Sequence, residues 1–594
     1  MASAPRSYGL ARAIRTSTLS SRVCSRCLPA VQSPRNVRAF STTNARMSAT
    51  FKTPAVVNEP NQHYAKGSVE RERLEAAVAA IQEQGPLTIP IKIGRQTIRT
   101  TESGIQFNPS DYQSVIAHYS MASAEDVYIA IEAALAAKPA WESTPFADRA
   151  AVFLKAADLI STKYRYEIMA TTMLGQGKNA WQAEIDAAAE LCDFFRFAVK
   201  YAEDMYAQQP PLNSPGLWNR IEYRPLEGFV YAVSPFNFTA IGGNLAGLPA
   251  LLGNVVIWKP SDYAVASGHL IYKILLEAGL PKDVIQFVPG DPEEVTLGVL
   301  RHQQFAALHY TGSTAVLRRL FRQIGERVSR SKFIGYPRII GESGGKNFHL
   351  VHHSADIDNA VVHTVRGAFE YSGQKCSATS RLYVASSIWP EFKEKLITET
   401  KKLRVGPAWH PDTFVGPVIH PASFVKLTSA IDEANVDQQL ERIVGGTYDG
   451  STGHFIDPTI YATLNPEHKL LSTELFGPIL TVYVYDDRAP DAFAEACRLV
   501  DRTSEYGLTG SVFAQDRKAI RKAEDLLRNA AGNFYINCKS TGAVVGQQPF
   551  GGARASGTND KAGSINIMSR FVSLRSIKEE FSPSTDVLYP SNEV

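Results

Sequence analysis

The stretch Phe369-Glu370-Tyr371-Ser372-Gly373-Gln374-Lys375-Cys376-Ser377-Ala378 sets one cysteine behind a glycine and a lysine, with small residues after it. A thiol can act as a nucleophile where its surroundings favour the thiolate and leave it reachable. The bland alternative is a small buried hydrophobe, which is what most free cysteines are. Its company in the chain decides between the two. Six cysteines are scattered along the 594 residues: Cys24, Cys27, Cys192, Cys376, Cys497 and Cys538. They form no framework, and their usage suits a reducing compartment. Cys24 and Cys27 have the spacing of a redox or zinc pair, but no second pair follows and no His-Glu-x-x-His occurs, so no metal is expected.

The elements that must position this thiol follow from apolar periodicity. Strands are expected at 229–233, 254–258, 284–288 and 305–309, with helices at 264–278 and 313–328. Strand and helix in this alternation make a parallel sheet with right-handed crossovers. Ligands of such sheets sit beyond the carboxyl ends of the strands. Three polar clusters fall there: Ser234-Pro235-Phe236-Asn237, Lys259-Pro260-Ser261-Asp262 and Thr311-Gly312-Ser313-Thr314. The last opens a helix, whose free N–H groups and positive dipole end suit a phosphate. No Gly-x-Gly-x-x-Gly is present, which counts against an ordinary Rossmann dinucleotide site.

Upstream, 50–120 carries short β-like runs (87–93, 96–100), and 124–201 is helical, with Ser123 as N-cap. Gly175-Gln176-Gly177-Lys178 lacks the spacing of a phosphate loop and reads as a turn joining helices. Residues 206–226 contain Pro210-Pro211, Pro215-Gly216 and an alternating strand at 218–223. They read as an extended hairpin whose open edge suits pairing in a homo-oligomer. A second α/β unit runs from 339 to about 537, with helices at 357–370, 388–403 and 490–501. Residues 570–578 alternate as a final strand, a candidate partner for the hairpin.

Composition is that of an ordinary globular chain, 44% hydrophobic and 20% charged, and the length calls for two or more domains. The net charge of +3 hides an asymmetry. Residues 1–40 hold seven arginines and no acid, so the rest of the chain carries −4. That body has no global pull toward nucleic acid or an anionic membrane. The Arg- and Ser-rich segment reads as a mitochondrial transit peptide, cleaved after Phe40 in Arg38-Ala39-Phe40-Ser41. No apolar run approaches the roughly eighteen residues a membrane helix needs.

Six motifs now stand in order: Ser-Pro-Phe-Asn-Phe (234–238), Trp-Lys-Pro-Ser (258–261), Tyr-Thr-Gly-Ser-Thr (310–314), Gly-Glu-Ser-Gly-Gly-Lys-Asn (341–347), Gly-Gln-Lys-Cys-Ser-Ala (373–378) and Glu-Leu-Phe-Gly-Pro (474–478). Together they resemble the aldehyde dehydrogenase superfamily over roughly residues 85–580, including the 34 positions between Glu342 and Cys376. The resemblance implies an α/β aldehyde dehydrogenase fold: a Rossmann-like NAD-binding domain, an α/β catalytic domain and a projecting β-hairpin for oligomerisation. The domains it implies are 1–40 transit peptide, 41–340 NAD-binding with the hairpin at 206–226, and 341–537 catalytic. Residues 538–594 would hold a substrate-anchor loop, a return to the NAD domain and a C-terminal oligomerisation strand. Three further stretches, 234–244, 369–376 and 546–561, resemble the branch that oxidises L-glutamate γ-semialdehyde to glutamate with NAD in proline catabolism.

Roles carry over residue by residue. Cys376 would attack the aldehyde, Asn237 and the Cys376 N–H would hold the oxyanion, and Glu342 would be the general base. Ser234, Lys259, Gly312, Ser313, Thr314, Ala315, Val316, Glu474 and Phe476 would bind NAD. Asp262 stands where many members carry Glu, and its charge would still repel a 2′-phosphate. Ser377, Gly542 and Ala543 would anchor the substrate carboxylate, with Phe238 and Phe550 flanking its chain. Some members carry Ser at the position of Ala543, so here only main-chain donors remain. The alternatives are another semialdehyde dehydrogenase, a non-catalytic member of the fold, or a thiol hydrolase without cofactor. The intact Cys376, Glu342 and Asn237 argue against the non-catalytic reading.

Overall fold

Strands that are apolar along their whole length need cover on both faces, and two parallel-rich sheets with helices on either side provide it. The structure is a computed structural model describing residues 51–593, so the expected transit peptide and the Cys24/Cys27 pair lie outside the described residues. Residues 53–594 form one compact unit.

The first sheet has seven strands in the order Arg338–Glu342, Phe305–Thr311, Phe229–Val233, Val256–Lys259, Ile285–Phe287, Ile91–Ile93, Gln96–Ile98. The first five are parallel, Ile91–Ile93 runs against them, and the edge strand Gln96–Ile98 turns back to their direction. Alternation along Phe229–Val233 sends Val230 and Ala232 into one core and Phe229 and Tyr231 into the other. Chain order reverses beside this strand, so a topological switch point opens between it and Phe305–Thr311. The second sheet runs Leu440–Val444, Thr459–Thr463, Ile479–Tyr485, Thr379–Ala385, Asn347–Val351, Thr509–Phe513, Asn533–Ile536, parallel except for its first strand.

Three expectations need correction. The strand at 338–342, read as the start of the second unit, is the edge of the first sheet, and the second sheet begins at Asn347. Gly341 leaves room there for Leu317 of the helix Thr314–Ser329, and Ile340 joins the first core. Residues 206–226 do not form a hairpin of their own. Pro210, Pro211 and Pro215 cannot donate to a return strand. The one strand there, Leu217–Pro225, pairs antiparallel over nine residues with Val572–Glu580, the terminal strand expected as a partner. The 3.6-residue periodicity expected over 181–201 is interrupted by a π-helical stretch, Glu184–Glu190, before Leu191–Tyr206. This stretch lets Glu184 meet Arg165 and Asp186 meet Lys178, two ion pairs with almost no solvent exposure.

Buried Asn254 ties the ribbon to the first sheet. Its amide donates to the Pro249 and Phe571 carbonyls at 3.0 and 2.9 Å, and its oxygen accepts from the Leu226 N–H at 2.9 Å. Asn254→Leu orphans these groups and is expected to lower unfolding stability by about 1–3 kcal/mol per unsatisfied group, read by denaturant titration. Unchanged stability would show that the tie contributes nothing.

Candidate active site

The helix Ile357–Phe369 points its carboxyl end at the cysteine and stops at Glu370. Tyr371, Ser372 and Gly373 then take left-handed conformations in succession, with φ of 53°, 55° and 67°. For the two residues carrying a Cβ this costs on the order of 1–2 kcal/mol each. Tertiary hydrogen bonds hold it: Tyr371 Oη donates to the Gln176 carbonyl at 2.7 Å and Ser372 Oγ to the Gly416 carbonyl at 2.6 Å. The Gln374 amide donates to the Pro417 carbonyl at 3.1 Å and accepts from the Ile419 N–H at 2.8 Å. A side chain at Gly373 would strike the Gly477 carbonyl, so only glycine fits. Beyond the turn, Asn347 Nδ2 donates to the carbonyls of Cys376 and Ala378 at 2.7 and 2.8 Å.

Asn237 reaches the same loop from the first sheet, donating Nδ2 to the Gln374 carbonyl at 3.0 Å. It lies just before the helix Thr239–Leu251, whose first N–H groups have no partner within the helix. Asp186 supplies one, accepting from the N–H groups of Thr239 and Ala240 at 2.9 Å each, while Lys178 pairs with it at 2.7 Å. The Lys178 ammonium also lies 3.9 Å from the centre of the Phe238 ring. Asp186 and Lys178 are positioning residues that sequence reasoning missed. The Gly-Gln-Gly-Lys turn gave the only hint of Lys178.

Two cavities meet at the thiol. The larger, about 700 Å³, is lined by Ser234, Asn237, Lys259, Gly312, Ser313, Val316, Glu474, Phe476 and Cys376. Lys259 Nζ donates to Asp262 at 2.9 Å on its wall, and Ser313 caps the helix Thr314–Ser329 beneath it. Thr314 and Ala315 do not line it. Thr314 turns inward to bond Ser343 Oγ and accept from the Gly344 N–H, both at 3.1 Å, and Ala315 faces outward. The smaller cavity, about 410 Å³, is lined by Cys376 together with Glu342, Phe238, Ser377, Gly542, Ala543 and Phe550. The Ser377 hydroxyl is already bonded to Thr541 at 2.7 Å. Glu190, Lys375 and Lys539 line this cavity too, and the sequence reading did not single them out.

The cysteine stands at the amino end of the strand Thr379–Ala385, and Asn347 at the amino end of its neighbour. The site thus joins carboxyl ends of the first sheet to amino ends of the second. Burial dominates its electrostatics. It pushes the Cys376 thiol up to about 12, with the Glu342 and Glu474 carboxylates adding to the rise. Burial also raises Glu342 well above its ordinary value, although it accepts from the Gly552 N–H at 3.3 Å and lies near Lys561. Glu190 rises to about 8 for the same first reason, with Asp186 adding to it. Burial at this site thus favours the neutral thiol and carboxylic acid.

Residues 99–577 match the aldehyde dehydrogenase family, and the chain belongs to that family. Among curated relatives it is 65% identical over 560 residues to mitochondrial delta-1-pyrroline-5-carboxylate dehydrogenase of Emericella nidulans, covering 94% of this chain and 98% of the relative. It is 48% identical to the human protein of that name, over 90% of this chain and 94% of the relative. Its structure superposes on that of the delta-pyrroline-5-carboxylate dehydrogenase from Mycobacterium tuberculosis bound with NAD. The TM-score is 0.88 and the identity 44%, covering 92% of this chain and 100% of that one.

A thiol held up to about 12 ionises only in small fraction at neutral pH. Alkylation of Cys376 by iodoacetamide in the cofactor-free protein is therefore expected to accelerate roughly tenfold per pH unit between about pH 7 and 10. Glu342→Gln removes one carboxylate and should shift that profile to lower pH. A rate that levels off near neutrality would contradict the placement of these charges.

Proposed function

We propose that this chain oxidises L-glutamate γ-semialdehyde, the open form of Δ1-pyrroline-5-carboxylate, to L-glutamate with NAD in proline catabolism. The observation that carries the reading is that Cys376 lies where two cavities meet, one sized and charged for a dinucleotide, the other for a short polar aldehyde.

The residues present fit NAD. A volume of about 700 Å³ falls within the roughly 300–1,000 Å³ of ligand cavities. A methyl group on Gly312 would run into the Tyr310 ring, so a bare backbone lines the wall beside the Ser313-capped helix end, where a pyrophosphate is favoured. Lys259 and Asp262 would meet the adenosine ribose, and Glu474 the nicotinamide ribose. When bound, NAD supplies the acceptor for the hydride that leaves the substrate carbon.

The chain's own groups perform the remaining steps. Cys376 Sγ gives its proton to solvent water and attacks the aldehyde carbon, whose oxygen takes the negative charge, forming the thiohemiacetal oxyanion. One proton of the Asn237 amide is committed to the Gln374 carbonyl, which aims the other toward the oxyanion beside the Cys376 N–H. Such a donor lowers the barrier by about 2.7–4 kcal/mol. After oxidation the substrate is a thioester on Cys376. Glu342 takes a proton from water, which attacks the acyl carbon and releases glutamate and the thiol. Burial makes its carboxylate a stronger base than a solvated one. Backbone N–H groups of Gly542 and Ala543 would hold the substrate carboxylate, Phe238 and Phe550 its methylenes, and Glu190 its ammonium.

We also propose a homo-oligomer and a mitochondrial matrix location. A two-stranded ribbon is marginal alone, and this one exposes Trp218, Leu574 and Phe581. A second copy covering it would bury them. The Arg-rich leader and the mitochondrial names of relatives support the location.

Cys376→Ser is expected to abolish NADH formation without loss of folding, and retained turnover would sink the assignment. Glu342→Gln should keep a burst of NADH in rapid mixing but slow the steady state, and an unchanged steady state would remove it from the base role. Deleting residues 572–594 should lower the oligomer's mass in sedimentation, unless the ribbon is no interface. The mature protein recovered from matrix should begin at Ser41, and recovery only from cytosol would refute the location.

A further inference from the structure

Behind the smaller cavity lies a charge cluster that the mechanism above does not use. Glu370, the residue that ends the helix before the cysteine turn, accepts from Lys375 Nζ at 2.9 Å and from Lys539 Nζ at 2.6 and 2.8 Å. The Glu370 and Lys375 side chains are 6% and 2% exposed, and Lys539 is 20% exposed. Two lysine side chains therefore share one carboxylate, which can balance only one ammonium; burial pulls Lys375 below the ordinary lysine range, with Glu370 opposing that fall and Lys539 adding to it. Both lysines line the substrate cavity, whereas Glu370 does not. The charge is also aimed. A methyl group placed on Gly542, whose φ is +91°, would lie 3.9 Å from the Lys539 ammonium. Four of the five acids on the same cavity have other partners: Glu59 pairs with Arg165 and Arg196, Asp193 accepts from Asn58 and the Glu59 N–H, Asp560 pairs with Arg570 and Glu342 accepts from the Gly552 N–H. Glu190 feels the charge of Lys375 without a hydrogen bond to it.

We infer that the Lys375–Glu370–Lys539 cluster is the charge that selects substrates carrying a carboxylate remote from the aldehyde, with Lys539 its specificity-determining member. The substrate carboxylate, held at the loop Thr541-Gly542-Ala543, completes a pairing left half-finished in the protein. Taking a carboxylate out of water is costly unless an opposite charge awaits it, and a fixed one costs no reorganisation. An uncharged aldehyde of the same length gains nothing from it. Burial by itself would raise the Glu370 carboxyl, but the two lysines outweigh it and hold it at about 2, so the carboxylate persists at working pH. The cluster also spans the cysteine turn and the anchor loop, so a purely mechanical role as a tether must be separated from the electrostatic one.

Three variants separate them. Lys539→Gln removes both charge and tether, Lys539→Arg keeps both, and Glu370→Gln breaks the tether but leaves the lysine charge facing the cavity. The reading is the ratio of kcat/KM for succinate semialdehyde to that for butanal, with thermal unfolding as a check on folding. Lys539→Gln is expected to lower this ratio about tenfold or more, mainly through KM for the anionic aldehyde. Lys539→Arg and Glu370→Gln should stay within about threefold of the parent. An equal loss on both aldehydes, or the same fall in ratio for Glu370→Gln, would reduce the cluster to a tether and overturn the inference. If Glu370→Gln does not fold, the contrast between Arg and Gln at 539 decides. The inference rests on the proposed activity, which glutamate γ-semialdehyde tests in the parent enzyme alone. The succinate semialdehyde to butanal ratio reports on the cluster even if that substrate fails.

Discussion

Everything at this site depends on holding Cys376 at the end of a turn the backbone would not choose. Two side-chain-bearing residues and a glycine in the left-handed region cost a few kcal/mol that local sequence cannot return. The restraint comes from far along the chain: Gln176 and Asn237 on one side, Asn347, Gly416, Pro417 and Gly477 on the other. The turn is therefore stable only when both sheets are assembled. The geometry of Cys376 reports on the whole fold rather than on its own loop.

The same assembly sets the electrostatics. Packing the carboxyl ends of one sheet against the amino ends of the other leaves the thiol, Glu342, Glu474 and Glu190 only partly exposed, on the walls of the two cavities. In low dielectric these groups resist carrying charge, and neighbouring carboxylates reinforce that resistance. The ion pairs Arg165–Glu184, Lys178–Asp186 and Lys375–Glu370–Lys539 set each buried anion at hydrogen-bond distance from a cation, while burial pulls Lys178 and Lys375 below the ordinary lysine range. Those pairs sit behind the reacting groups, fixing the loops on which the reacting groups stand. Paired groups behind and unpaired titratable groups in front is a division of labour that suits proton transfer.

Much of the site was legible because motif residues sit in short ordered stretches whose chemistry is local. Ser234, Lys259 and Gly312 follow strands and must fall at strand ends, and the helix cap at Ser313 announces itself by residue type. Thr314 and Ala315 were grouped with the cofactor residues because they are adjacent in sequence. The helical repeat rotates Thr314 inward and Ala315 outward, leaving Val316 on the cavity. Glu190, Asp186 and Lys539 were missed because nothing near them distinguishes a catalytic-cavity carboxyl or ammonium from a solvated one. Their meaning comes from partners 8 to 169 positions away.

By itself the sequence singled out Cys376, the alternation of strands and helices, and the order of the polar clusters at strand ends, because each rests on residue type and short-range periodicity. Tertiary structure decided what depends on long-range pairing. It joined the strand at 217–225 to one at 572–580 instead of a hairpin, and it widened the helix at 184–190 so that two buried ion pairs could close. It also placed two lysines that share the Glu370 carboxylate beside the loop at 541–543. Coulombic and hydrogen-bond partners are chosen by proximity in space, and the linear chain does not contain that distance.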